Sequence, residues 1–493
     1  TEWLYRYPSN SSDSKGHDPM SEKKNRQDST VGRNNPGRDA IGAAMRFITS
    51  ITGSDFAQKY DLQPTIDRVI YQSTKSGFKT LGAANRQFKK VSGGGKPQRP
   101  AREAQAAAPD DAASAEPAKT PSKKLFDLTP TEDQQMIVET VKEFAESRLR
   151  DAAATADHAA TPPETLLSEA AELGVALINV PESFEGIATG EDVTTNALVA
   201  EALAYGDMGL ALAVLAPAGV AATLTAHGSD AQQKTYLPAF AGEDVPAAAV
   251  VLSEPRPLFD PLKPEATGRR EGNEIVLNGV KSMVPNAGAA ELFIVGVNLN
   301  GRPALVIVES SAEGLHVEAD PSMGIRGAAL GRLVLKDVRI PADAVLGGEQ
   351  ISADQAEVEY RDVLRRSRLG WAALAAGTCQ AVLDYVVPYV NEREAFGEPI
   401  SHRQAVAFMV ADIKIELDGL RMILLRGTSR ADQGRRFDRE AALAKNFASE
   451  KGMKIGSDGV QLLGGHGFVK EHPVERWYRD LRAIGIAEGI VVL

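Results

Sequence analysis

The fold is decided by residues 461–489, which read QLLGGHGFVKEHPVERWYRDLRAIGIAEG. Gly464, Gly465 and Gly467 form a cluster after a helical run, and glycines let a backbone approach a flat or charged ligand where a Cβ would clash. Glu488 lies in an apolar run near the end of the stretch, so burial would raise its pKa toward neutral pH and make it a candidate general base. A single Glu in such a run is more often a surface residue of an amphipathic helix, so this residue alone does not decide the function.

The spacing of this stretch resembles the C-terminal signature of the acyl-CoA dehydrogenase family. That signature is a Gln, a Gly pair, a third Gly with a bulky apolar residue, an acid, a base and an acid. The corresponding residues here are Gln461, Gly464, Gly465, Gly467, Phe468, Glu471, Arg476 and Asp480. In the family the catalytic Glu follows at the position that Glu488 occupies. The resemblance therefore implies that Glu488 is the base, and that Gln461, Gly464 and Gly465 bind the cofactor.

A second group of residues that match the family lies further upstream. Arg368 precedes a long apolar helical run, and the motif Arg-Glu-Ala-Phe-Gly at 393–397 is followed by Gln404. In the family, the motif and the Gln reach the FAD of a neighbouring subunit, with Arg on the pyrophosphate, which a guanidinium binds in bidentate fashion. The resemblance thus implies FAD as cofactor, a homo-oligomer (dimer or tetramer), Arg393, Phe396 and Gln404 as cofactor-binding residues, and Arg368 as a catalytic residue.

The strands expected to contact the flavin depart from the family pattern. Ser253 and Met283 stand at flavin-contacting positions, and Met283 replaces a Trp that covers the flavin ring, a role a thioether can also fill. Phe259, Pro285 and Ile490 replace family residues that carry hydroxyl groups. Ser253 and Met283 are therefore cofactor-binding candidates, while the three replacements leave open a subunit that has lost its own flavin.

The pattern of apolar residues changes twice along the chain. Helical stripes, with Thr129 or Thr131 as the first cap, occupy 125–246. Short alternating runs separated by turn residues occupy 247–350, and helices return over 351–493. This order predicts a multidomain α+β fold of the acyl-CoA dehydrogenase type: an N-terminal helical domain, a middle antiparallel β-barrel or sandwich, and a C-terminal helical bundle.

Two shorter patterns predict local structure within these parts. The run 197–215 is Ala-rich and nearly apolar all round, which predicts one buried helix. Asn278-Gly279 is a dipeptide typical of two-residue β-hairpin turns. Both patterns concern the scaffold, because neither contains a candidate catalytic side chain.

Composition narrows the class of protein. The chain has 493 residues, 43% of them hydrophobic, and a formal net charge of -11, so nucleic acid is not an expected partner. Its one cysteine, Cys379, allows no internal disulfide and no cysteine cluster for a metal, which is typical of a reducing compartment. No run of eighteen or more apolar residues predicts a membrane-spanning helix, so we expect a cytoplasmic protein with no metal.

The beginning of the chain differs from the rest in charge. Residues 1–40 read as a tag-like or disordered start, 41–90 as a basic helical extension and 91–124 as a flexible Gly/Pro/Ala linker. Residues 21–100 contain fifteen basic and six acidic residues, a net +9 within a chain of net charge -11. The extension either packs on the acidic surface of the enzyme itself or binds an anionic membrane surface or an acidic partner.

The resemblance implies a specific reaction, the α,β-dehydrogenation of a fatty acyl-CoA thioester. Glu488 would take the α-proton and the β-hydride would leave for FAD, while the backbone N–H of Glu488 and a ribityl hydroxyl of FAD polarise the thioester carbonyl. Electrons would pass to an electron-transfer flavoprotein, as in fatty acid β-oxidation. The alternatives are an acyl-CoA oxidase-type flavoenzyme, recognised by peroxide formation, and a flavin-poor scaffold or half-site subunit, recognised by its visible spectrum.

Deleting residues 1–124 tests the role of the extension. The 34-residue linker spans roughly 30–35 Å as a flexible coil, so the extension need not dock over the active site. We expect the truncated core to fold and to turn over acyl-CoA nearly unchanged, but to lose binding to anionic vesicles or an acidic partner. Vesicle co-sedimentation of the full chain should weaken as salt screens the charges. A truncated core that loses its oligomeric state or melts many degrees lower would show that the extension packs on the core.

Overall fold

The computed structural model describes residues 128–493 except 189, 191, 243 and 257, and the extension predicted over 1–124 therefore lies outside the described residues. Within the described range the chain passes from helices to a sheet and back to helices. This order confirms the predicted fold class.

The first helical part contains six α-helices. They are α1 (Glu132–Phe144), α2 (Arg150–Ala159), α3 (Leu166–Glu172), α4 (Val193–Gly206), α5 (Met208–His227) and α6 (Asp230–Tyr236). Thr131 caps α1 as predicted: its side chain accepts the N–H of Gln134, whose side chain returns to the Thr131 N–H. The single helix predicted over 197–215 is wrong, because the Asp207 side chain accepts the N–H of Leu210 and begins a new helix there.

The middle part is one seven-stranded sheet. Its strands are β1 (Ala248–Val251), β2 (Thr267–Glu271), β3 (Glu274–Val284), β4 (Leu292–Leu299), β5 (Arg302–Glu309), β6 (Leu315–Ala319) and β7 (Gly331–Pro341). Their spatial order is β1-β4-β2-β3-β7-β6, with β5 paired with β4. Most neighbours are antiparallel, as predicted, whereas β4 pairs in parallel with β1 and β2. One face of this sheet packs against an apolar core that is separate from the main core of the protein.

The hairpin turn predicted at Asn278-Gly279 is wrong. Both residues lie inside β3, where the pairing with β7 shifts register between Leu277 and Gly279. Gly279 has φ +146°, and a Cβ there would lie 2.6 Å from the Cα of Ala266. The glycine is thus needed for a bulge and a close backbone approach, two uses of glycine in strands that the dipeptide signal does not separate from a turn.

The last part contains four helices and a two-stranded ribbon. They are α7 (Ala353–Glu392), β8 (Glu394–Ala395), β9 (Glu398–Pro399), α8 (Gln404–Asp432), α9 (Asp438–Leu463) and α10 (Val474–Leu481). The long helix α7 packs against α4, α8 and α9 and carries the fully buried Trp371 near its middle. It forms the axis on which the helical parts assemble.

Two of these helices are long and apolar enough to cross a membrane, namely α5 and α7. Their most apolar stretches are 89% and 67% buried inside the protein, respectively. Core helices of folded domains show the same combination of length, apolarity and burial.

The signature residues Arg476 and Asp480 join the three parts of the molecule. Arg476 Nε donates to Asp207 Oδ2 at 3.1 Å, which links α10 to the start of α5. The carboxylate of Asp480 accepts the N–H of Ile325, in the middle part, at 2.5 Å. These buried contacts give Arg476 and Asp480 a structural role in holding the last part of the chain to the other two.

The Asp480→Asn variant tests this joint through pH. Burial and then the neighbouring charge of Asp207 raise the pKa of Asp480 to about 8, against about 3.9 in an unfolded chain. Between these values the folded protein holds a proton that the unfolded chain releases, so this residue makes stability fall as pH rises. We expect the urea midpoint of the native protein to fall from pH 5 to 8 and that of the variant to fall less. An Asp230→Asn control, exposed on α6, should keep the native slope; an identical slope in the Asp480→Asn variant would contradict this assignment.

Candidate active site

Glu488 sits in a chain segment that runs beside β1. After α10 a short 3-10 turn, Arg482–Gly485, redirects the chain, and Gly489 then forms an antiparallel bridge with Val251. Gly489 has φ +87°, and a Cβ there would lie 2.7 Å from the Leu252 side chain. The Glu-Gly pair therefore brings the carboxylate to the end of β1, because only glycine fits the next position.

Two serines fix the backbone around Glu488. Ser253 Oγ accepts the N–H of Glu488 at 2.9 Å and donates to the Glu488 carbonyl oxygen at 2.8 Å. Ser367 Oγ on α7 donates to the Gly489 carbonyl oxygen at 2.7 Å. The resemblance implied that Ser253 contacts the cofactor, whereas in the structure Ser253 contacts the Glu488 backbone. Its oxygen accepts the N–H of Glu488, the group that the resemblance expected to polarise the thioester carbonyl of the substrate.

Two cations contact the Glu488 carboxylate. Arg368 on α7 donates from Nη2 to Oε1 at 3.2 Å and from Nε to Oε2 at 3.4 Å. Lys445 on α9 places Nζ 3.4 Å from Oε2. The carboxylate of Glu488 therefore contacts charged groups in spite of its apolar sequence neighbours, and Arg368, predicted as a catalytic residue, is one of them.

Lys445 is the site residue that sequence reasoning missed. Its Nζ donates to the Ala487 carbonyl oxygen as well as pairing with Glu488, and only 9% of its side chain is exposed. Burial lowers the pKa of Lys445, and the Glu488 charge acts in the opposite direction. The sequence contained one indication of this role, because Lys445 lies among alanines on α9. A charged side chain in an apolar stripe of a helix needs a partner that compensates its charge.

A buried ion pair holds the strand end that carries Ser253. Lys281 Nζ lies 2.8 Å from Glu254 Oε1 and donates to the Leu252 carbonyl oxygen at 3.2 Å. The Glu254 carboxylate also accepts the N–H of Glu265. Burial lowers the pKa of the Lys281 ammonium and the Glu254 carboxylate opposes that change. Each of the two buried charges has a partner inside the protein, so the ion pair fixes the position of residues 252–254.

Met283 lies close to this strand end and lines a cavity. The N–H of Ser282, its neighbour, donates to the Ser253 carbonyl oxygen at 3.1 Å, and the Met283 N–H donates to Asp320 Oδ2 at 3.0 Å. The cavity has a volume of about 250 Å³ and is also lined by Ile486, from the turn before Glu488. The structure thus brings Ser253, Met283 and Glu488 into one region.

The remaining predicted residues gather at a larger cavity of about 550 Å³. Its lining includes five of the six: Arg393, Phe396, Gln461, Gly464 and Gly465. The sixth, Gln404, is exposed at the start of α8, directly after Arg403, which lines the cavity. A Cβ added to Gly464 or Gly465 would meet nothing within 4 Å, so the glycine pair faces open space.

An exposed aromatic ring marks the rim of this cavity. Phe396 is 97% exposed and has φ +58° in the ribbon between α7 and α8. An exposed Phe in a turn is available to stack on a ligand or to pack on another molecule. Tyr389 also lines the cavity, and its hydroxyl lies 2.8 Å from His466 Nδ1.

Comparisons with known proteins show the family to which the chain is similar. Three protein-family models match the chain: the acyl-CoA dehydrogenase N-terminal domain over residues 131–244, the middle domain over 249–338 and the C-terminal domain over 360–490. "Probable acyl-CoA dehydrogenase YngJ" of Bacillus subtilis (strain 168) is 34% identical over 74% of this chain and 96% of that protein. The mitochondrial short-chain specific acyl-CoA dehydrogenase of Bos taurus is 32% identical over 73% of this chain and 87% of that protein.

Solved structures of similar proteins share the fold. Butyryl-CoA dehydrogenase from Megasphaera elsdenii superposes with a TM-score of 0.68 at 28% identity, covering 74% of this chain and 96% of that chain. A chain from work on the electron transferring flavoprotein of Acidaminococcus fermentans gives a TM-score of 0.68 at 29% identity, over 74% and 96% of the two chains. An FAD complex of PigA gives a TM-score of 0.67 at 25% identity, over 73% and 95% of the two chains.

Proposed function

The chain belongs to the acyl-CoA dehydrogenase family and is an oxidoreductase of that family, and on this premise we propose that it dehydrogenates an acyl-CoA thioester between Cα and Cβ, with Glu488 as the base. The observation that carries the proposal is the position of Glu488. Its carboxylate lies at the end of β1, paired with Arg368 and Lys445, and 13% of its side chain remains exposed.

Glu488 must be ionised to accept the α-proton. Arg368 and Lys445 hold the carboxylate through its oxygens, and Ser253 and Ser367 fix the backbone that carries it. A base held in one place loses little entropy when the substrate arrives, which is part of the rate enhancement of positioned groups. Arg368 is kept as a catalytic residue in this proposal, as the family resemblance implies, and its contact with the Glu488 carboxylate supports that role.

The cofactor is FAD, which when bound accepts the hydride that leaves Cβ. The residues that fit it form two groups. Ser253 and Met283 lie near Glu488, and the larger cavity offers the open edge of a glycine pair together with two guanidinium groups suited to a pyrophosphate. The residues that would hold the cofactor there are Arg393, Phe396, Gln404, Gln461, Gly464 and Gly465.

We propose that the enzyme is a homo-oligomer, a dimer or tetramer, in which the larger cavity binds the FAD of a neighbouring subunit. Phe408, Ile415 and Met422 support this because they lie seven residues apart on α8 and are 64%, 66% and 63% exposed. Side chains at that spacing share one face of a helix, and an apolar stripe of this kind is typical of a face that packs on another helix.

Electrons leave the enzyme to an electron-transfer flavoprotein in this proposal, within fatty acid β-oxidation in the cytoplasm. Likeness to the chain from work on the flavoprotein of Acidaminococcus fermentans supports that partner. A flavin-poor scaffold or half-site subunit is the second candidate, because Phe259, Pro285 and Ile490 stand where the family pattern has residues with hydroxyl groups. An oxidase-type enzyme differs from both by forming peroxide.

The Glu488→Gln variant tests the base. The amide keeps the size of the side chain but cannot accept the proton, so we expect turnover of acyl-CoA to fall at least about a thousandfold, roughly 4 kcal/mol of barrier. Folding and FAD content should be retained. A Glu450→Gln control, with 79% of that side chain exposed on α9, should keep native turnover. Near-native flavin reduction by the Glu488→Gln variant would show that another residue is the base.

The Gly465→Leu variant tests the larger cavity. The Cβ meets nothing within 4 Å, so the chain should fold normally while the side chain fills the cavity. We expect FAD affinity to fall by about tenfold or more, since overpacking costs roughly 1–3 kcal/mol. The flavin-to-protein ratio after reconstitution measures this. Gly288→Leu, at an exposed turn that is equally open, is the matched control; unchanged FAD affinity in the Gly465→Leu variant would mean that FAD does not bind there.

The Ile415→Glu variant tests the apolar stripe of α8. A charge in the centre of a buried interface is costly, so we expect the native protein to sediment as a dimer or tetramer and the variant as a smaller species. Val358→Glu is the control, because Val358 is 54% exposed but lies on α7 away from the stripe. A variant that keeps the native sedimentation would place the subunit contact elsewhere.

A further inference from the structure

We propose that Lys445 is the positioning residue of the catalytic base, and that its ammonium group fixes both the main chain at Ala487 and the carboxylate of Glu488. This inference rests on the proposed function, because it takes Glu488 as the base. It adds a residue that lies outside the glycine cluster, the Arg-Glu-Ala-Phe-Gly motif and every other pattern read from the sequence.

The Lys445 ammonium group contacts two adjacent residues of the segment beside β1. Lys445 Nζ donates to the Ala487 carbonyl oxygen and lies 3.4 Å from Glu488 Oε2. The first contact holds the backbone immediately before the base, and the second holds one oxygen of the base itself. A group bound at both points limits rotation of the Glu488 side chain relative to its own main chain.

The cost of burying this lysine indicates a specific role. A buried ammonium is unfavourable unless it is paired and hydrogen-bonded, and lysine is among the residues least often buried. The neighbours of Lys445 on its own helix face, Ala441 and Ala448, are fully buried and apolar. An apolar residue at 445 would pack there without that cost, so the charge is explained by its partners. The Trp371 ring, 5.9 Å from Nζ, adds a weak cation–π contact.

The groups that contact Glu488 come from three elements. Arg368 approaches the carboxylate from α7 and Lys445 approaches it from α9, while the Ser253 hydroxyl, from the segment after β1, contacts the Glu488 backbone. The charge of Glu488 also affects Tyr360 on α7. Burial first, and then the charges of Glu254 and Glu488, raise the pKa of the Tyr360 phenol, whose hydroxyl donates a hydrogen bond to a backbone carbonyl. Arg368 and Lys445 are thus the two cations in contact with one carboxylate.

Removing one of these two cations has a consequence that a packing role would not have. A carboxylate that loses a nearby positive charge is protonated more readily, so the base becomes inactive at a higher pH. The acid limb of the pH profile of kcat/KM should therefore move to higher pH. An opposite charge at this distance shifts a carboxyl titration by one unit or more, so we expect a shift of about one pH unit.

The experiment compares neutral and charged variants of the full-length, FAD-loaded enzyme with butyryl-CoA as probe. Lys445→Met removes the charge and keeps most of the side-chain length, and Lys445→Gln removes the charge but keeps a donor. We expect both to move the acid limb upward by about one pH unit and to lower kcat more than they change KM. Lys445→Arg, which keeps the charge, should retain the native limb.

A matched control lies on the same helix. Lys454 pairs with Asp458 at 2.6 Å and its side chain is 60% exposed, so Lys454→Met should leave both the limb and kcat unchanged. Titration of the Glu488 carboxylate by infrared difference spectra, with Glu488→Gln as the reference, gives the same answer without turnover. It should follow the acid limb in each variant.

The outcomes separate this inference from the proposed function. An inactive Glu488→Gln variant together with native acid limbs in Lys445→Met and Lys445→Gln would overturn the role of Lys445 and leave the base in place. A fully active Glu488→Gln variant would overturn the proposed function itself. If Lys445→Met fails to fold, the Lys445→Gln limb decides: an upward shift supports the inference, and an unshifted limb contradicts it.

Discussion

One carboxylate paired with two cations is the interaction on which the site depends. Glu488 brings a negative charge to the end of a strand, and Arg368 and Lys445 meet it from two different helices. The three residues belong to separate segments of the chain, so the pairing forms only when α7, α9 and the segment beside β1 are all in place. The site is therefore a consequence of how the C-terminal helices pack on the sheet.

The same constraint applies to two other buried ion pairs among the described residues. Lys281 and Glu254 pair behind the strand end, and Arg476 pairs with Asp207 where α10 meets the start of α5. Such pairs add little to net stability, since desolvation offsets most of the attraction, but leaving one partner alone is costly. They favour one relative placement of the helices and strands over others that would bury the same apolar surface.

The sequence was sufficient to predict the fold, because fixed spacings of glycine, acidic and basic residues are specific to it, and the same spacings supplied the candidate site residues, which stay predictions. Gly489 follows Glu488 because a Cβ at position 489 would clash with Leu252. Arg476 and Asp480 are spaced so that each contacts a different part of the protein. Lys445 was missed because a lone lysine in a helix is usually a surface residue, and its partner is more than forty positions away in the sequence. The chemistry of a buried charge is set by partners that spacing does not show.

Backbone geometry was the other limit on prediction. Asn278-Gly279 carries a hairpin signal, yet only the register of β3 against β7 reveals that its glycine serves a bulge. The hydroxyl of Ser253 was expected to face a cofactor, and tertiary packing instead gives it both polar groups of the Glu488 backbone. In each case long-range contacts outweighed a local preference.

The most direct test of the central claim is the visible absorbance of the purified full-length protein during anaerobic addition of butyryl-CoA. If Glu488 and FAD act as proposed, we expect a yellow protein whose flavin absorbance band bleaches when butyryl-CoA is added, because the flavin is reduced as the base removes the α-proton. A folded protein that binds FAD but keeps its full flavin band with acyl-CoA substrates of every chain length would contradict the claim. A colourless protein that takes up no FAD would contradict it as well.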